Sequence, residues 1–444
     1  MKIRLDSIRN CLEGGIPGNI ATVSTDGTPN IAYLSQVQYV DHEHVALSYQ
    51  FFNTTRRNIL AWPYAKVSLI DPVTAAHYRL SLQYLRTESQ GPVFEIMKAK
   101  LAGIASHTGM SGIFRLLGSD IYRVLDIERV PGRALEVPPI HRNLLASLRL
   151  CAEELRAHTD LDALLTATLV ALERHFDIHH AMILMLDAAA GKLYTVASRG
   201  YSASGAGAEI PVGHGVIGVA AREGTPIRIG HFSAEYAYGR AVRESMARNG
   251  QAGLIETEIP LPGLTEARSQ FAVPIRGAQR TLGILYMESA QDQRFGYDDE
   301  DALVALAGLL GMAIQLLQQG EAEEAAPAVS APARAPGPAV LVRHYAENDS
   351  VFLGEDYLIK GVAGSIFWAL VRDFVEHGRV GFSNRELRLD RRIRLPDLSD
   401  NLEARLILLA RRLDERGACV RILKTGRGRF ELRVERPLKL VEVD

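Results

Sequence analysis

The sequence predicts a multidomain protein of the α+β class, and three observations carry that prediction. Its 444 residues amount to about three ordinary domain lengths. Gly320 to Pro338, GEAEEAAPAVSAPARAPGP, is Ala, Pro and Glu without an apolar period; such a stretch builds no core and reads as a linker. On both sides of it, segments with apolar residues at every second position are mixed with segments at helical spacing. We place folded units at 1–135, 140–319 and 339–444, with the linker at 320–338.

Apolar residues at 47%, charged residues at 23% and a formal charge of −2 describe an ordinary soluble protein. Nothing global draws it to nucleic acid or to an anionic membrane, so any such attraction has to be local. Cys11, Cys151 and Cys419 are far apart and form no CxxC or Cys/His cluster, which argues against a disulfide framework and against a structural metal. A reducing cytoplasm is expected. The N-terminal MKIRLDSIRNCLEGG lacks a signal-peptide core, and no run approaches the ~18 apolar residues of a membrane span.

The first unit is organised around ALSYQFFNTTRRNILAWP, Ala46 to Pro63. Val45, Leu47 and Tyr49 alternate as a half-buried strand; Asn53, Thr54 and Thr55 are N-cap types ahead of a short helix that Pro63 stops. Amides at a helix start, two Thr hydroxyls and the guanidiniums of Arg56 and Arg57 suit a phosphate. The same residues also suit a Thr-capped surface helix with two solvated arginines. Upstream, IATVSTDGTPNIAYLSQV reads as two strands around an Asp26-Gly27 turn, and Ala65 to Ile70 gives a strand after the helix.

That order of elements resembles the FMN-binding split barrels of the pyridoxamine 5′-phosphate oxidase-like superfamily, over roughly the first third of the chain. The resemblance implies FMN as cofactor. Carried over by position, Ser48, Asn53, Thr54, Thr55, Arg56, Arg57 and Asn58 become phosphate ligands, and Ser35 with Gln36 faces the isoalloxazine. Many members carry a Lys in the turn where this chain has Thr54 and Thr55. The resemblance also implies a homodimer.

Leu144, Leu148, Cys151, Ala152 and Leu155 share one face of a helix after the proline-rich break VPGRALEVPP, and Asp160 with Asp162 opens a second helix. From His180 the chain resembles GAF domains: AMILMLD and KLYTVASRG as a strand pair, PVGHGVIGVAAREGTPIRI as a helix and turn, FAVPIRGAQRTLGILYMES as a hairpin, and FGYDDEDALVALAGLLGMAIQLL as the closing helix. The resemblance implies a small-molecule sensor. Tyr236, Tyr238, Arg240 and Arg243, in HFSAEYAYGRAVRESMARNGQA, are the residues suited to stack on and pair with an anionic planar effector.

The third unit opens with a hairpin pattern, VRHYAENDSVFLGEDYLIKG, followed by a helix and then SNREL, a capping box on Ser383 and Glu386. A long helix from Asp400 to Arg416 and the ribbon VRILKTGRGRFELRV complete it. This order resembles the winged-helix effector domains of OmpR-type regulators, which implies DNA as partner. From Arg379 to Lys439 there are 17 Lys and Arg against nine Asp and Glu, a local excess of eight positive charges. The expected DNA contacts are Arg405, Arg411, Arg412 and Arg416 on the helix and Lys424, Arg427 and Arg429 on the wing.

No catalytic acid-base pair or nucleophile triad stands out. A flavin- and ligand-responsive one-component regulator follows from split barrel, GAF sandwich and winged helix in one chain. The other reading is an FMN-dependent oxidoreductase regulated by its GAF domain, in which flavin supplies the chemistry and leaves no catalytic motif.

Overall fold

The computed structural model describes residues 3–12, 16, 18–34, 36–49, 53–91, 93–98, 101, 116–136, 142–229, 259–278, 280–291, 293–319, 337–393, 395 and 402–443. In the first unit, seven strands form one antiparallel sheet in the order β2-β1-β5-β6-β7-β4-β3. They are β1 (Gly18–Val23), β2 (Pro29–Leu34), β3 (Val37–Tyr39), β4 (His44–Tyr49), β5 (Tyr64–Ile70), β6 (His77–Glu88) and β7 (Gly118–Arg129). The Asp26-Gly27 turn closes the first hairpin with Gly27 at φ 85°, a conformation that favours glycine, while Asp26 accepts the Thr28 amide. Val45, Leu47, Leu80, Leu82 and Tyr122 fill the curled sheet, and a 3-10 helix, Leu5–Leu12, inserts Leu5, Ile8, Cys11 and Leu12. Helix α1 (Asn53–Ala61) joins β4 to β5.

The second unit is a six-stranded sheet, β10-β9-β8-β13-β12-β11. Its strands are β8 (His180–Asp187), β9 (Lys192–Arg199), β10 (Glu209–Pro211), β11 (Ile227–Ile229), β12 (Ser269–Arg276) and β13 (Thr281–Ser289). One face packs on α2 (Leu144–Leu155), α3 (Leu161–Phe176) and α5 (Tyr297–Gln319) through Ile183, Phe271, Leu285, Leu169 and Leu306. The other packs on α4 (Gly215–Glu223) through Met182, Leu184, Ile284 and Val216. Gly213 and Gly215 take φ 87° and 60° ahead of α4, and Gly224 ends it at φ 60°. Helix α5 corrects one expectation: by length and composition it is apolar enough to cross a membrane. Here Leu303, Leu306, Leu310 and Ile314 bury its apolar face in the core of the sheet.

The third unit pairs β16 (Asp356–Ile359), β15 (Ser350–Leu353), β14 (Val340–Tyr345) and β20 (Leu438–Val443) in that order. Strand β20 runs parallel to β14, a pairing the sequence does not announce. Then come α6 (Gly361–His377), β17 (Gly381–Ser383), α7 (Asn384–Leu389), α8 (Leu402–Glu415) and the hairpin of β18 (Val420–Gly426) with β19 (Arg429–Val434). The capping box forms, the Glu386 amide donating to Ser383 Oγ at 3.3 Å and the Ser383 amide to Glu386 Oε2 at 3.2 Å.

The units touch. A single apolar cluster runs from Leu165 and Tyr194 of the second unit to Leu408 and Phe367 of the third. Tyr297 of α5 is buried in the core of the first unit; its hydroxyl donates to the Leu12 carbonyl at 3.1 Å, and the Arg9 guanidinium lies 4.6 Å from its ring centre. The linker expected at 320–338 lies outside the described residues up to 336.

Candidate functional site

Across the second unit's sheet, register sets Gln270, Glu288 and His180 side by side on β12, β13 and β8. Strand alternation sends Glu288 and Gln270 to the face that carries Tyr286, Met182 and α4. Glu288 is only 5% exposed. Its Oε1 accepts from Tyr286 Oη at 2.8 Å and from Gln270 Nε2 at 3.0 Å, and its Oε2 from the Leu264 amide at 2.9 Å. Among the described residues no cation pairs with it. The Gln270 carbonyl oxygen is buried without a partner. Burial, and then the Glu288 carboxylate, pushes the Tyr201 phenol far above its ordinary range, and the His180 ring stands edge-on to Tyr201 at 5.5 Å. The effector residues expected from the sequence, Tyr236, Tyr238, Arg240 and Arg243, lie outside the described residues. Sequence reasoning missed Glu288 and Gln270, since polar residues at strand ends are ordinary and only register shows that they meet.

The residues expected on DNA are placed differently from expectation. Arg405 is buried, its Nη2 2.8 Å from Asp187 Oδ2 at the end of β8 and its guanidinium 4.8 Å from the Tyr194 ring centre. Arg411 reaches α3, donating to Asp162 Oδ1 at 2.5 Å, Thr166 Oγ1 at 2.8 Å and the Val196 carbonyl at 3.1 Å. Arg412 is buried and donates to the Leu358 carbonyl at 3.0 Å. Lys424 lies 2.9 Å from Glu403 and 3.1 Å from Asp160; these carboxylates raise its pKa against the opposing effect of desolvation. Arg429 is half-buried, whereas Arg416 and Arg427 are exposed. Helix α8 is covered on two sides, and Arg405, Arg411, Arg412 and Lys424 of the expected contacts are engaged inside the chain. Between α8, the hairpin and the start of α3 a cleft of about 280 Å³ remains, lined by Asp160, Asp162, Asn384, Arg411, Lys424 and Arg429.

In the first unit the expected phosphate set is divided. Arg56 donates to Asp120 Oδ1 at 2.6 Å and Thr87 Oγ1 at 2.7 Å, with its guanidinium 4.7 Å from the Tyr49 ring centre. Thr55 and Asn58 are buried, bonded to Asn30 at 2.9 Å and Thr22 at 3.1 Å. Thr54 and Arg57 are exposed and meet each other at 3.3 Å. Ser48 pairs in register with Ser119 on the opposite face of β4, beside Ala46 and Ile121, which pack on Phe94 and Met97. Ser48 Oγ, Ser119 Oγ and Gln36 Oε1 are buried without partners. Ser35 and the Asn53 side chain lie outside the described residues. As a unit, these residues do not fit a phosphate dianion: Asp120 already neutralises Arg56, and the polar groups point to two faces. No group of three or more His, Cys, Asp or Glu suited to a metal occurs among the described residues.

Residues 158–315 match the family model described as GAF domain, and this segment is a GAF domain. No curated protein matches the chain. Among solved structures, the chain is similar to the free methionine-R-sulfoxide reductase of Neisseria meningitidis in complex with its substrate, with 19% identity, TM-score 0.31, and coverage of 41% of this chain and 98% of that one. It is similar to the GAF domain of a phosphoenolpyruvate-protein phosphotransferase from Coxiella burnetii, with 21% identity, TM-score 0.30, and coverage of 41% and 98%. Over 29% of this chain and 86% of that one, it is similar to an FMN-binding protein from Syntrophomonas wolfei, at 14% identity and TM-score 0.25.

Proposed function

We propose that the chain is a one-component regulator in which a small molecule at the GAF domain sets whether the third unit, read as a winged helix, can meet a nucleic-acid backbone. One observation carries this: carboxylates of the GAF domain hold the cations that phosphates would need, Asp162 on Arg411 at 2.5 Å and Asp160 on Lys424 at 3.1 Å. Strand β8 links the two places, with His180 of the polar row at one end and Asp187 of the Arg405 pair at the other. A ligand that shifts this strand biases α8.

The test is fluorescence anisotropy of the full chain with a labelled random duplex of about 30 base pairs, long enough for a sequence-independent backbone footprint. D160N/D162N is expected to bind several-fold tighter than wild type, since Arg411 loses the Asp162 carboxylate and Lys424 loses Asp160 while keeping Glu403. Absence of binding by both proteins at low salt sinks the reading.

The first unit supplies a second input. Its unpartnered row of Gln36, Ser48 and Ser119 supports a polar ligand there. FMN, the cofactor expected from the sequence, has lost Arg56 to Asp120, and the oxidoreductase reading weakens with it. An absorbance spectrum of the purified chain, before and after added FMN is removed, is expected to show no stoichiometric flavin band; a full band would restore the cofactor.

A homodimer fits the apolar residues left outside: Leu145 on α2 and Met312 with Leu316 on α5 are 78%, 61% and 68% exposed. Sedimentation equilibrium of M312E/L316E should then show a lighter species than wild type; equal masses would remove this face from the interface.

A further inference from the structure

We infer that the GAF domain binds a small organic ammonium ion, held by the Glu288 carboxylate and the free carbonyl oxygen of Gln270. The inference names the ligand class for the sensor reading above and rests on it. Glu288 is 5% and Gln270 7% exposed, and both stand on the face lined by Met182, Leu184, Ile284 and Tyr286. A carboxylate moved from water into such surroundings needs a counter-charge or a full set of donors. Among the described residues Glu288 accepts from Tyr286 Oη, Gln270 Nε2 and the Leu264 amide, with the Tyr201 phenol beside it, and all of these groups are neutral.

The Gln270 bond fixes the amide so that its nitrogen faces Glu288, which leaves Oε1 as a second acceptor, buried and unpartnered. Two acceptors on neighbouring strands, one charged and one neutral, call for a group with several N–H donors and a positive charge. An ammonium has both, and a guanidinium shares the chemistry. Among the described residues no cation offsets Glu288, and its charge disfavours an anion.

Isothermal titration calorimetry of the full chain tests this with three ions of increasing apolar body, ammonium, methylammonium and benzylammonium, each beside a neutral counterpart such as benzyl alcohol. At least one ion is expected to bind with no binding by its neutral counterpart, and E288Q is expected to weaken that binding at least about tenfold. Should E288Q fail to fold, Q270M keeps the carboxylate and removes both the free acceptor and the Nε2 donor to Glu288; it is expected to shift the affinity at least several-fold. Failure of all three ions to bind wild type, equal binding by the neutral counterparts, or affinity unchanged in the variant overturns the inference. Binding is read by heat and regulation by duplex affinity. An ion that binds without changing duplex affinity therefore leaves this site standing and counts against the regulator reading, whereas duplex release without ion binding does the reverse.

Discussion

Arg405 Nη2 lies 2.8 Å from Asp187 Oδ2, a buried pair that ties the long helix of the third unit to the end of a GAF strand. Arg405 is a residue that sequence reasoning puts on DNA, and its guanidinium instead closes an internal joint over the Tyr194 ring. Removing one partner strands the other charge in low dielectric. Asp187→Ala should therefore cost about 3–5 kcal/mol. The double variant D187A/R405M, which leaves no orphan charge, should cost less than the single one. Urea unfolding followed by tryptophan fluorescence checks both, and equal costs would show that a stranded Arg405 charge is not what makes Asp187→Ala costly.

A second prediction concerns pH. Burial pushes the Asp120 carboxyl above its ordinary value of 3.8, against the pull of Thr87 and Arg56. The folded first unit therefore holds this proton more tightly than the unfolded chain does. The associated stability is present below 3.8 and is lost as pH rises through the folded value. In Asp120→Asn, unfolding of the first unit should lose this contribution to the pH slope. Denaturant titrations at several pH values read the difference between the two slopes. An unchanged slope would rule out Asp120 as its source.

The cysteines give a third. Burial pushes the thiols of Cys11 and Cys151 up to about 12, and both are closed to solvent. Thiolate is the reactive form, so neither should be alkylated in the native protein at pH 8, whereas Cys419, which is less buried, should react first. Mass spectrometry after iodoacetamide treatment, with and without denaturant, reads this directly. Rapid native modification of Cys11 would show that the 3-10 helix opens easily.

The order of elements was largely legible in the sequence. Strand alternation, the Asp26-Gly27 turn, the Gly213 and Gly215 turn and the Ser383 capping box are local signals, set by a few neighbouring residues. What was not legible depends on contacts between distant segments. Nothing near Leu438 announces a parallel partner at Val340, and the periodicity of α8 gives its apolar face without saying that GAF carboxylates cover its cations. Arg56 shows the same limit. Its place ahead of a helix suits a phosphate, but the acceptor that claims it, Asp120, lies 64 residues further along the chain. Glu288 and Gln270 looked like ordinary strand ends until register brought them together.

The claim that GAF carboxylates mask the third unit's cations is tested most directly by salt dependence. Each phosphate neutralised by a cation adds about −0.9 to the slope of log K against log salt concentration. D160N/D162N releases Arg411 from Asp162 and loosens Lys424, which Glu403 still holds, and should therefore steepen the slope of duplex binding by about 1 relative to wild type. Parallel slopes for the two proteins would mean that Asp160 and Asp162 hold nothing back from the duplex and would contradict the account.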